Sequence, residues 1–165
     1  MSPCGGGCCG PEVPPSVTTD LLVADPGDAR AVAEDPAPRA RWTGADAKGV
    51  DQVKLGILWA LLAGREYRDA LVLEFVPLHE VSADGPWVFR VPDPLLALLA
   101  EADEGRVGRA AQAWAASDEL ALDGWDAESA AALLEDLRGL ARGARSGGKP
   151  LLMRVALEPA RLSPR

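Results

Sequence analysis

Lysine, histidine and the smaller aromatics are scarce in this 165-residue chain, which has three lysines (Lys48, Lys54, Lys149), one histidine (His79), one tyrosine and two phenylalanines. A single histidine leaves one imidazole for general acid–base chemistry, and no Gly-x-Ser-x-Gly elbow surrounds any serine. The three cysteines, Cys4, Cys8 and Cys9, all fall in the first nine residues. They cannot staple a fold elsewhere, so stability must come from ordinary burial, and a reducing cytoplasm is expected. Long apolar runs are missing too: the most apolar stretch, 55–63, is far below the roughly 20 residues of a membrane helix. The opening Met1-Ser-Pro-Cys4 lacks the basic start and apolar run of a signal peptide. These features point to a cytoplasmic chain that neither spans nor anchors to a membrane.

Arginine carries most of the positive charge, and abundant alanine, glycine and proline suggest a bacterial source. Formal net charge is −8, which opposes binding to phosphate backbones and argues against nucleic acid as a partner. The charge is uneven. Residues 42–137 hold seven basic and eighteen acidic side chains, whereas 138–165 hold seven basic and one acidic.

Residues 1–41 are rich in glycine and proline, with one brief apolar run at Leu21-Leu22-Val23. Such a segment offers little to bury, so it reads as a disordered tail, with a short strand or helix near Leu21 as the alternative. Residues 42–157 read as one globular domain and 158–165 as a flexible end. Within the domain, 51–63 is apolar nearly all round and fits a buried helix ended by Gly64. Residues 67–78 fit neither period well and are read as a short helix ending before Pro77, with a strand as the alternative. Trp87 to Val91 alternate as a strand. Asp93-Pro94 opens a helix, and Val107, Ala110, Ala111 and Trp114 repeat the helical spacing, so these two are expected to form a hairpin. Asp126 caps a longer helix with an apolar stripe from Ala130 to Ala144, ended by Gly147-Gly148. Residues 151–157 alternate around Arg154 as a closing strand. The expected class is α+β: mainly helical, with a small antiparallel sheet covered by helices.

Six candidate sites follow. Cys4, Cys8 and Cys9 could supply thiolates to a soft ion such as zinc or copper(I), although a structural zinc site needs a fourth ligand; the plainer account is incidental cysteines and no cofactor. His79 could serve a cryptic enzyme site, but no neighbouring residue orients it in an obvious way, so a structural or surface histidine is favoured and the chain is expected not to be an enzyme. The acidic residues 118–128 around Gly124-Trp125 lack a calcium-loop register and suit helix ends. Gly44 and Gly49 have phosphate-loop spacing, but Val50-Asp51 stands where lysine and a hydroxyl residue are required. Trp87 and Trp125, each at a turn, are candidate contact residues, weighed against lid packing. Arg138, Arg142 and Arg145, at i, i+4 and i+7, line one helix face and could dock an acidic partner.

The segment Lys54-Leu-Gly-Ile-Leu-Trp59-Ala-Leu-Leu-Ala-Gly64 resembles the buried helix ending Leu-Leu-Thr-Gly of the bacterial YfbM-like family. Lys149-Pro-Leu-Leu-Met-Arg-Val155 resembles that family's closing strand. Ala63 replaces the threonine and Trp59 the usual histidine. The resemblance implies an α+β fold and brings no activity. Together these features suggest a small acidic protein-interaction module: an adaptor, an immunity-type protein or a regulator with an unidentified protein partner. A thiolate metal-binding or redox protein, or an enzyme around His79, is the alternative.

Overall fold

The computed structural model describes residues 16–47 and 49–158. Strand β1 (Ser16–Val23) is followed by a 3-10 turn (Pro26–Asp28), helix α1 (Ala29–Glu34), a second 3-10 turn (Pro38–Ala40) and the short strand β2 (Gly44–Asp46). Helix α2 (Gln52–Ala63), a 3-10 segment (Asp69–Glu74) and strands β3 (Val76–Glu80) and β4 (Trp87–Arg90) come next. Helices α3 (Asp93–Glu101), α4 (Glu104–Ala115), α5 (Asp118–Leu122) and α6 (Ala127–Ser146) precede the last strand, β5 (Leu151–Glu158). The sheet is antiparallel throughout, in the order β2-β1-β5-β4-β3.

All eight residues of β1 pair with all eight of β5, from Ser16↔Glu158 to Val23↔Leu151. The segment 16–41, expected to be part of a tail, is therefore integral to the fold. Its apolar run is short because it needs only one strand's length of side chains to fill both faces. Leu21 joins the large core with Met153, while Leu22 joins a smaller core with Leu152, Val88 and Val32 of α1. Alternating strand residues point to opposite faces, so β1 and β5 are buried on both. Residues 1–15, with Cys4, Cys8 and Cys9, and residues 159–165 lie outside the described residues.

Helix α2 forms where expected. Asp51 caps it by accepting a hydrogen bond from the Lys54 amide (2.9 Å), and Gly64 ends it in the left-handed region at φ 69°. The 67–78 segment forms only a 3-10 turn, and a strand begins at Val76. Pro77 is tolerated there because β3 is an edge strand whose ladder shifts between Pro77 and His79. Instead of a self-contained hairpin, α3 and α4 both lie mainly against α6. The long apolar stripe of α6 offers each more surface than they offer one another.

Candidate functional site

Four chain segments converge at the open end of the sheet beside β1 and the start of α2. They line a cleft of about 710 Å³ with Val17, Asp46, Gly49, Asp51, Lys54, Asp123 and Trp125. The loop after β2 is pinned to β1, since the Ala47 amide donates to Thr19 O (2.8 Å), Gly49 to Val17 O (3.2 Å) and the Thr19 hydroxyl to Val50 O (2.6 Å). That anchoring places Asp46, Gly49 and Asp51 along one wall.

Lys54 forms the floor. Its side chain is only 8% exposed, and its ammonium donates to Gly49 O and pairs with the Asp123 carboxylate, itself about half exposed. An ammonium this deep requires a charged partner, because desolvation otherwise disfavours it. The Lys54 carbonyl in turn accepts from the Trp114 indole N–H (2.9 Å), tying the floor to α4. The facing wall is the turn between α5 and α6. Gly124, at φ 77°, reverses the chain there, and Trp125 packs beside the buried Trp114 with ring centroids 6.4 Å apart. The Asp126 carboxylate caps α6 by accepting from the Ser129 amide (2.7 Å), which holds Asp126 below the usual carboxylate range.

An apolar strip leads from the cleft across the helix-side face of the sheet. Val17 pairs with Leu157, and Val155, two residues before Leu157 on the same face, pairs with Trp87. Trp87 ends β4, so nothing in that strand flanks Leu157, which is 39% exposed. Leu122, which precedes Asp123 in sequence, is 83% exposed. Trp87 and Trp125 are both half-buried against the core.

The arginine stripe makes contacts within the fold, with Arg138 half-buried and Arg142 and Arg145 exposed. Arg138 donates to Ala102 O (3.1 Å) and Glu135 (2.7 Å), Arg142 donates to Ala100 O (3.0 Å) and Ala102 O (3.4 Å), and Arg145 pairs with Glu101 (3.0 Å). Arg138 and Arg142 thereby satisfy carbonyls at the C-terminal end of α3, which have no helical partner, while Arg145 makes an exposed ion pair. Helical spacing placed the three on one face correctly, but α3 lies against that face. His79 stands half-buried on the edge strand opposite Val88, and among the described residues no hydrogen bond orients its ring. The acidic residues 118–128 do not converge: among the described residues no group of three His, Cys, Asp or Glu side chains is placed to hold a metal.

A second ionic cluster lies on the α1 side of the sheet. Buried Asp20 accepts from Arg39 (2.9 Å) and faces Arg154 (3.8 Å), whose Nε donates to Ala33 O (3.3 Å). Burial pushes the Asp20 carboxyl up, against the lowering pull of the two guanidiniums. This cluster braces β1 and β5 against α1 and the Pro38–Ala40 turn.

Sequence reasoning identified Trp125 and Asp123 but missed Val17, Asp46, Asp51 and Lys54 as parts of one site. Lys54 carried a usable signal, as a lone lysine in a helix apolar on nearly every side. No family model, curated protein or solved structure matches this chain. No helix among the described residues is long and apolar enough to cross a membrane.

Proposed function

We propose that the chain is a small protein-interaction module of the bacterial cytoplasm, serving as an adaptor, an immunity-type protein or a regulator. Its contact surface is the tryptophan-flanked end of the sheet. The observation that carries this reading is the apolar strip of Trp87, Leu157 and Val17, which runs into a cleft lined by Trp125, with exposed Leu122 next in sequence to the cleft residue Asp123. Exposed apolar side chains gathered beside half-buried tryptophans are characteristic of protein contact sites. The arginines of α6 also contact α3, and the apolar side chains at this end favour it as the contact surface. A kinship with the YfbM-like family belongs to the same proposal and adds no activity.

Site-directed photocrosslinking in cells tests it. A photoreactive residue at Leu122 should give an adduct of defined mass that Leu157→Glu abolishes, while one at Leu73, 82% exposed beside the far edge of the sheet, should give none. Equal labelling from both positions, or an adduct indifferent to Leu157→Glu, would overturn the assignment.

A further inference from the structure

The apolar strip ends on a carboxylate that has no counter-ion. Glu80 of β3 pairs with Trp87 of β4, and residues directly opposite in an antiparallel pair share a face, so Val17, Leu157, Trp87 and Glu80 lie on one face of the sheet. Glu80 is exposed and forms no ion pair among the described residues. Leu157 is open on the β4 side, because that strand begins at Trp87 and Trp87 pairs with Val155. The chain enters and leaves the sheet at this corner, where Ser16 of β1 pairs with Glu158 of β5. Residues 159–165, Pro-Ala-Arg-Leu-Ser-Pro-Arg, carry one large apolar side chain, Leu162, with two arginines and no acid, whereas residues 1–15 carry Glu12 and no lysine or arginine.

We propose that residues 159–165 fold back over the strip, with Leu162 against Leu157 and Trp87 and Arg165 beside Glu80, so that a partner must displace this segment to bind. The spans allow it. Leu162 follows Glu158 by four residues, which extend to about 13 Å, and Trp87 stands about 10 Å back along β5 and about 5 Å across. Arg165, at seven residues and up to about 23 Å, reaches Glu80 one strand further over. Pro159 and Pro164 have no amide to donate, so the segment covers the strip through its side chains and not as a further regular strand. Attachment a few residues away gives it an effective concentration in the millimolar range, at which one leucine contact and one surface ion pair suffice. Residues 1–15 fit less well, since they enter beside Val17, on the far side of Leu157 from Trp87, and bring no side-chain cation to Glu80. The displacement step rests on the interaction reading above, while the fold-back itself does not.

Photocrosslinking of the purified full chain tests it, with an aliphatic diazirine side chain in place of Leu162. The expected product is an intramolecular adduct to Trp87 whose yield is constant across protein concentration. Glu80→Arg, at an exposed position, should lower that yield about two- to threefold, and adding Arg165→Glu should restore it. In cells, Leu162→Ser should raise the partner adduct formed from Leu122 about threefold or more. Absence of the Trp87 adduct, or a yield indifferent to Glu80→Arg, overturns the proposal. So does an adduct to Trp87 formed from a diazirine at Val13 but not from one at 162, which would give the strip to residues 1–15. A covalent dimer whose yield rises with concentration gives it to a second copy and overturns the proposal as well. If the 162 adduct fails while the Leu122 adduct persists and still depends on Leu157, the interaction module stands and the covering segment falls; if the 162 adduct forms and Leu122 gives none, the covering segment stands and the interaction reading falls.

Discussion

Removing the charge of Asp123 should cost more stability than removing Lys54 altogether. The Lys54 side chain is 8% exposed and that of Asp123 is 47% exposed, so the pair is dry at one end and wet at the other. Asp123→Asn leaves a buried ammonium with Gly49 O as its remaining acceptor. A fully buried pair broken on one side costs about 3–5 kcal/mol, while an exposed pair is worth about 0.2–1 kcal/mol. The half-wet carboxylate puts this case between them, at about 1–2 kcal/mol. Lys54→Met keeps an unbranched stem, removes the desolvation cost and strands no charge in the interior, so it should fall within about 1 kcal/mol of wild type in either direction. In the Lys54→Met background, Asp123→Asn should cost less than about 0.5 kcal/mol. Urea unfolding of the four proteins closes the cycle, and a melt should show a fall of about 2–4 °C per kcal/mol for a chain of this size. If Lys54→Met costs more than Asp123→Asn, or if the two changes add, the ammonium is not held by this pair and the account of the cleft floor is wrong.

Three further outcomes are expected. A chain beginning at Arg41 lacks β1, the partner of all eight residues of β5, and should lose cooperative unfolding when followed by circular dichroism. Arg138→Ala and Arg142→Ala should each cost about 0.5–1.5 kcal/mol in denaturant titrations, and the double variant less than their sum because both donate to Ala102 O; no loss in either would show the stripe to be free for a partner. The Asp20 carboxyl is raised above 3.8 in the folded chain, so the native state holds that proton more tightly than the unfolded one. Its stabilising contribution is full below about 3.8 and is lost as pH rises through the folded value, so wild-type stability should decline relative to Asp20→Asn across that window, and a relative gain would refute the assignment.

The longer helices α2, α3, α4 and α6 were legible because their signals are local, whereas the short α1 and α5 were not anticipated. Asp51, Asp126 and Gly64 act on their own turns, and the α6 stripe repeats at helical spacing. What sequence could not show was pairing between distant segments. Leu21-Leu22-Val23 reads as a weak apolar run among glycines and prolines, yet its partners Leu151 to Met153, far along the chain, make it part of a sheet buried on both faces. The arginines illustrate the same limit at a smaller scale. Their spacing fixes which face of α6 they occupy, but whether that face meets solvent depends on where α3 lies. Asp46, Asp51 and Lys54 share a short stretch of sequence, whereas the wall opposite them comes from Asp123 and Trp125, so the cleft exists only once α5 and α6 are in place.

The edges of the sheet narrow the ways in which a partner can engage this fold. Adding a strand requires an open, regular ladder, and neither edge provides one. On one side β2 is only three residues long and leads directly into the loop that builds the cleft wall. On the other, β3 carries Pro77, which has no amide to donate, and its register shifts before His79. Backbone pairing is therefore discouraged along both edges, while the end of the sheet leaves apolar side chains open where β1 and β5 outrun β4. A surface of this kind reads side chains rather than backbone.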